Sequence, residues 1–162
     1  MEHPSVRPAD EADRIMRTYG TILFRLCLMM LGSESDAEDA VQDTMLKYLQ
    51  KAPAFSGAGH EKAWLITVAA NRCRDMRRGW LRHPQLPLET LRACGPEPED
   101  CGVLEALMQV PPRFRVVLLL YYVEEYPMED IARIIGRSVS AVKMRLQKGR
   151  RLLEEIYRKE YL

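Results

Sequence analysis

The sequence predicts an all-α protein of two small helical domains joined by a Pro-rich linker. Three observations carry this prediction. Apolar residues recur at helical spacing along almost the whole chain, no segment sustains the period-two alternation of a half-buried strand, and a Pro-rich polar stretch interrupts the pattern once. With 162 residues, 47% of them apolar, the chain can bury a core.

The first helix is expected from about Ala9 to Leu31, with Ile15, Tyr19, Ile22, Leu23, Leu26 and Met30 on its inward face and Gly32 as its stop. Ser33, followed by Glu34 and Asp36, suits the positive end of a second helix that runs to about Lys51, before Pro53. A loop, SGAGH, precedes a third helix from about Glu61 to Leu81. From His83 to Gly102 the composition turns to Pro84, Pro87, Pro96 and Pro98 among polar and acidic residues, which reads as a linker. This places one domain at 1–83, the linker at 84–102 and a second domain at 103–162. The second domain holds four shorter helical patterns: Val103–Gln109, Pro111–Glu125, Met128–Ile135 and Ser138 to about Tyr161.

A net charge of +1 weighs against a protein that coats nucleic acid by bulk charge alone, so charge has to be read locally. Cys27, Cys73, Cys94 and Cys101 form no CxxC pair and read as reduced thiols; the spacing of Cys94 and Cys101 in the linker does not by itself make a redox pair. His3, His60 and His83 lie far apart. The N-terminal stretch lacks the apolar core of a secretory signal, and no later stretch approaches the roughly 20 apolar residues of a membrane span. The expectation is a cytoplasmic chain with no membrane insertion.

YPMEDIARIIGRSVSAVKMRLQKGRRLLEE, from Tyr126 to Glu155, has the pattern of helix, tight turn and second helix. Ala132 is small where the helices must approach, Gly136 takes a left-handed turn without a Cβ penalty, and Ser138 caps the second helix. With Val142 and Leu146 inward, Ser140, Ala141, Lys143, Met144 and Lys148 fall on the face that would meet a major groove. Six basic residues and no acid lie between Arg137 and Arg151. Most charge runs are merely solvated, but here the run shares one register with the turn glycine, the cap and the small alanine, which favours DNA binding.

The N-terminal half carries two contrasting helices. Ser33–Leu49 holds five acids before its first base, Lys47; with Ala37, Val41, Met45 and Leu49 inward, Asp36, Asp39, Gln42, Asp43 and Leu46 stand outside. Such a face repels DNA and suits a basic protein surface, although composition alone describes an ordinary soluble helix. The third helix reverses the sign, with Lys62, Arg72, Arg74, Arg77, Arg78 and Arg82 against Glu61 and Asp75, and adds Trp64, Trp80 and Asn71. Stacking surface, amide and cations together are what single-stranded nucleic acid needs; Trp64 also suits core packing.

AEDAVQDTMLKYL, a following Phe, AWLITVAANRCRDMRR, a Pro-rich gap, and LMQVPPRFRVVLLLYYVEEYPMEDIARIIGRSVSAVKMRLQKGRRLL occur in an order that resembles the extracytoplasmic-function sigma factors over nearly the full chain. The resemblance implies that Asp36, Asp39, Gln42, Asp43 and Leu46 bind the β′ clamp helices of RNA polymerase core, whose β flap is a further expected contact. It implies that Lys62, Trp64, Asn71, Arg72, Arg74, Asp75, Arg77 and Arg78 recognise and melt the −10 element, with Asn71 helping to capture a flipped base. It assigns Arg137, Ser138, Ser140, Ala141, Lys143, Met144, Arg145 and Lys148 to the −35 element. Promoter DNA and an anti-sigma factor are the other implied partners; no cofactor, metal or catalytic residue is implied.

Two departures stand out. Pro127 and Asp130 replace the usual Ser or Thr cap and the Glu of the Glu-Ile-Ala motif, so that helix is expected to start differently; Gly149 stands where Ala is common, at an expected cost of about 0.5–1 kcal/mol. The alternatives are a stand-alone helix-turn-helix regulator, which would bind duplex DNA without polymerase, and a helical adaptor that binds only protein. An enzyme is disfavoured, because no Gly-rich phosphate loop, metal-ligand spacing or partnered nucleophile is present.

Overall fold

The computed structural model describes residues 9–77 and 101–161, in which all regular structure is helical. The N-terminal half consists of α1 (Ala9–Leu31), α2 (Glu34–Lys51) and α3 (Ala58–Arg77). The C-terminal half consists of α4 (Cys101–Gln109), α5 (Pro112–Leu118), a π-helical turn (Leu119–Val123), α6 (Met128–Ile135) and α7 (Val139–Tyr161). Arg78, Trp80, Arg82, His83, Cys94 and nearly all of the expected linker lie outside the described residues.

The ends of α1 and α2 follow from their sequence. Gly32 adopts φ 70° and its amide donates to the Leu28 carbonyl at 2.8 Å, which closes α1; Ser33 Oγ then accepts from the Asp36 amide and opens α2. The α3 helix starts three residues earlier than its apolar pattern indicates, because the Glu61 amide bonds the Gly57 carbonyl and draws Ala58, Gly59 and His60 into the first turn.

The inward stripe of α1 is buried as expected, with Ile22 only half-buried, but Cys27, Leu28, Met29 and Leu31 are buried as well. The C-terminal part of α1 is covered on two sides, by α2 and α3 and by α5 of the other half. A helix apolar all round is the signature of such double coverage. The apolar core is continuous across the two halves, joining Leu23, Leu26 and Leu65 to Val117, Leu120, Ile131 and Leu146. Each such side chain contributes about 1.5–3 kcal/mol on burial. Cys27 and Cys73 are free buried thiols on α1 and α3; their mutual hydrogen bond, then burial, push the Cys73 thiol up.

One buried polar network braces α1–α3. Glu61 accepts from the Tyr48 hydroxyl at 2.9 Å and from Arg14 Nη2 at 3.1 Å. Burial alone would raise the Glu61 pKa; hydrogen bonds from Arg14 and Tyr48 and the Arg14 charge outweigh it and hold the carboxyl below its ordinary range.

The helix expected over Pro111–Glu125 is divided. After Leu118 the chain widens into a π turn, and the Tyr126 amide bonds back to the Leu120 carbonyl. Glu125 takes a left-handed φ of 57°, which lets the chain reverse into α6. Pro127 is the N-cap of α6 without a side-chain cap; its carbonyl accepts from the Asp130 and Ile131 amides. Gly149 is buried where α7 crosses α5, and a Cβ there would lie 3.3 Å from Phe114 Cβ and Leu118 Cδ1. Its backbone penalty is therefore offset by close helix approach.

Candidate polymerase and promoter interfaces

Three faces carry the residues singled out by sequence. On α2, Asp39, Gln42 and Leu46 are exposed and Asp36 and Asp43 half-buried, one helical stripe opposite buried Ala37, Val41 and Met45. Leu46, at the C-terminal end of this acidic stripe, is 54% exposed, unusual for a leucine. Asp43 is not wholly free for a partner, since its Oδ2 accepts from Arg72 Nε of α3 at 2.6 Å.

On α3, Asn71, Arg72 and Asp75 are exposed, and Arg74 and Arg77 half-buried. Arg74 donates to the Asn71 side-chain oxygen and also to the carbonyl of Ile135 in the C-terminal half. Trp64 is half-buried, edge-on to Tyr48 and Phe55 at centroid distances of 6.1 and 5.8 Å, which is its packing role. Lys62 turns away from this group, to Glu124 at 3.5 Å and over the Tyr126 ring. Arg78 lies outside the described residues.

The C-terminal site is the helix-turn-helix α6–α7. Gly136 adopts φ 68°, the Arg137 amide returns to the Ala132 carbonyl, and Ser138 Oγ accepts from the Ala141 amide at 3.1 Å. Ile131, Ile135, Val142 and Leu146 are buried as its small core, with Val139 partly exposed. Arg137, Ser138, Ser140, Lys143, Met144 and Lys148 are exposed, Met144 at 70%, while Ala141 and Arg145 are half-buried. Burial first, then the charges of Arg137 and Arg113, lower the Arg145 pKa, so these cations converge on one place. The charge of Arg113 on α5 is felt at Arg145 because α5 packs on α7, a neighbourhood that local spacing does not reveal.

Among the described residues no cluster of His, Cys, Asp and Glu could hold a metal ion, and no helix is long and apolar enough to cross a membrane. A helical chain with an acidic α2 face, a cation-rich α3 and a basic helix-turn-helix fits the class of helix-turn-helix transcription factors.

Comparison with known proteins narrows that class. The Sigma-70 region 2 family matches residues 15–81 and the Sigma-70 region 4 family matches residues 102–153, and the chain belongs to the sigma-70 family of RNA polymerase sigma factors, in its extracytoplasmic-function (ECF) subfamily. Among its relatives, the ECF sigma factor SigE of Mycolicibacterium smegmatis is 28% identical over 88% of this chain and 60% of its own length. SigM of Mycobacterium tuberculosis is 28% identical over 89% of this chain and 76% of its own. The chain thus spans between three fifths and three quarters of these relatives. Among solved structures, the sigma factor RpoE in complex with the anti-sigma factor NepR from Bartonella quintana shares the fold, with a TM-score of 0.70, 22% identity and coverage of 94% of this chain and 99% of that one. CnrH in complex with the cytosolic domain of CnrY gives 0.67 at 21% identity, covering 97% and 94%.

Proposed function

We propose that the chain binds RNA polymerase core and directs promoter-specific initiation, with region 2 (within residues 1–83) docking on core and opening the −10 element and region 4 (within 103–162) reading the −35 element. The observation that carries this reading is the acidic α2 stripe that ends on exposed Leu46, next to a basic α3 and in one chain with a basic helix-turn-helix. A stand-alone regulator has no use for the first of these.

Asp36, Asp39, Gln42, Asp43 and Leu46 form the core-docking stripe, in which charge sets the encounter and the leucine fills an apolar site on the partner. Asn71, with Arg72, Arg74, Asp75 and Arg77, works on the −10 strand once it is unpaired. Holding an extruded base offsets an unstacking cost of a few kcal/mol, so melting follows from binding energy and needs no hydrolysis. Lys143, Met144 and Lys148 face the −35 groove, while Arg113, Arg137 and Arg145 suit its phosphates. The chain needs no catalytic residue or cofactor of its own, since nucleotidyl transfer belongs to the core enzyme. An anti-sigma factor is a further proposed partner, supported by the similar RpoE structure solved with the anti-sigma factor NepR.

The test is co-purification with bacterial RNA polymerase core, with and without charge reversal at Asp36, Asp39 and Asp43. Binding that the reversal abolishes is the expected result. Absence of core binding with duplex-DNA affinity retained would replace this reading with the independent regulator.

A further inference from the structure

We infer that the outer face of α7 reads two adjoining A·T pairs, with Met144 against a thymine methyl group and Gln147 on the adenine of the next pair. The groove itself rests on the proposed −35 reading; the bases follow from exposure, register and charge within α7. Gln147 is uncharged and outside the basic pattern that marks this helix, and it adds a specificity residue to the face.

Between Ser140 and Lys148 the exposed side chains are Ser140, Lys143, Met144, Gln147 and Lys148. Spacings of three and four put them on one side of the helix, opposite buried Val142 and Leu146. Phosphates account for the lysines but not for Met144, which has no hydrogen to donate. At 70% exposure Met144 is also the most exposed large apolar side chain among the described residues. A lone apolar side chain is ordinary on a protein surface, but here it stands between the cations of a groove-facing stripe. The base edges of a major groove offer one apolar group, the thymine methyl.

Lys148 shares this side of the helix, but its charge leans away. Its Nζ lies 5.6 Å from the centroid of the Phe114 ring on α5, and the Arg113 guanidinium lies 4.7 Å from the same centroid. Lys148 and Arg113 thus flank one ring at the α5 edge, where the charge of Arg113 is also felt by Arg145. A group of cations there suits the phosphate backbone and leaves the outer face to its neighbours. The Gln147 amide carries a donor and an acceptor side by side, the complement of adenine N7 and its N6 amino group. Guanine presents two acceptors at those places, one of which would oppose the amide oxygen.

Register separates the two contacts. Met144 and Gln147 are three residues apart, a rise of about 4.5 Å along a helix, against about 3.4 Å between stacked base pairs. A helix lying along the groove therefore brings them to neighbouring pairs.

The experiment first selects the sequence preferred by the full chain from a duplex library with a randomised central window. Affinity for the selected duplex is then measured with each thymine in turn replaced by deoxyuridine, and each adenine by 7-deaza-adenine, which removes the N7 acceptor. One thymine should respond to loss of its methyl group by about fourfold, the worth of one buried methyl. That response should vanish in Met144→Ala and persist in Met144→Leu. The adenine of an adjoining pair should respond to loss of N7 by about fivefold, the worth of one hydrogen bond, and this response should vanish in Gln147→Ala. All three variants should keep the wild-type circular dichroism, since both side chains are exposed. A selected site without adjoining A·T pairs would overturn the inference. So would responses that survive in the alanine variants, because readout of duplex shape alone would leave them there. Enrichment of no sequence would bring down the −35 reading as well, whereas an enriched site indifferent to both replacements would remove the base contacts and leave that reading standing.

Discussion

Arg72 Nε lies 2.6 Å from Asp43 Oδ2, an ion pair that joins the proposed core-docking stripe of α2 to the proposed −10 face of α3. Both side chains are more than two-fifths exposed, so the pair is worth only about 0.2–1 kcal/mol to the fold. Its consequence is orientation: it fixes where a carboxylate and a guanidinium stand at the seam between two binding surfaces. Asp43→Asn should shift the urea unfolding free energy by less than about 1 kcal/mol. It should nevertheless weaken core-polymerase binding several-fold, with the loss shrinking as salt rises. A stability loss well above that, with binding unchanged, would assign the pair to the scaffold alone.

Asn71 is exposed, so truncating it should leave the fold within about 0.5 kcal/mol of wild type. If its amide holds an extruded base, Asn71→Ala should slow open-complex formation by about one to two orders of magnitude, the worth of one or two hydrogen bonds at a desolvated site. Permanganate reactivity of the −10 thymines reads this, beside core-polymerase affinity, which should hold. Equal loss of both would count against the role.

Most of the helix boundaries were legible in the sequence because local chemistry sets them: Gly32 and Ser33 between α1 and α2, Gly136 and Ser138 around the turn. The exposed face of α7 was legible too, because buried Val142 and Leu146 fix the opposite side. What escaped is long-range. The second buried side of α1 and the ion pairs of Glu124 with Arg25 and Lys62 depend on how the halves pack, the charge of Arg113 at Arg145 depends on how α5 packs on α7, and no local period encodes either. The π turn escaped because its apolar residues fit a helical period as well as those of an α-helix do.

Glu61 gives the fold a pH dependence of known sign. Its carboxyl is held below its ordinary value of 4.5, so its contribution is complete above that value and is lost as pH falls through the lowered one. Glu61→Gln should cost on the order of 1–2 kcal/mol at pH 7, a figure discounted because Arg14 is half-exposed. Between pH 7 and the acid side of 4.5 the variant should lose less stability than the wild type. Parallel stability curves from urea titrations across that range would place the acid-labile group elsewhere.

Gly149→Ala sets helix propensity against packing. An alanine gains about 0.5–1 kcal/mol in a helix interior. Its Cβ, however, would meet Phe114 Cβ at 3.3 Å, an atom fixed to the α5 backbone and unable to swing aside. Overpacking of this kind costs about 1–3 kcal/mol, so packing should win and the melting temperature should fall by a few degrees. A rise would show that α5 and α7 separate more easily than their contact indicates.

Lys143 and Arg145 share a helix but should respond differently. Lys143 is exposed on the groove side, so Lys143→Ala should leave stability unchanged and lower the slope of log affinity against log salt by about 0.9, one released counterion. Arg145 is half-buried and crowded by the charges of Arg137 and Arg113, so the free protein bears a repulsion that a DNA phosphate would relieve. Arg145→Ala should lose −35 affinity with a similar change of slope without destabilising the fold, since the repulsion it removes offsets the packing it loses. Footprinting and titration on one −35 duplex at several salt concentrations separate the two. An unchanged footprint in both variants would remove α7 from the DNA interface, whereas loss confined to Arg145→Ala would make the converging arginines, rather than the outer face of the helix, the part that holds the duplex.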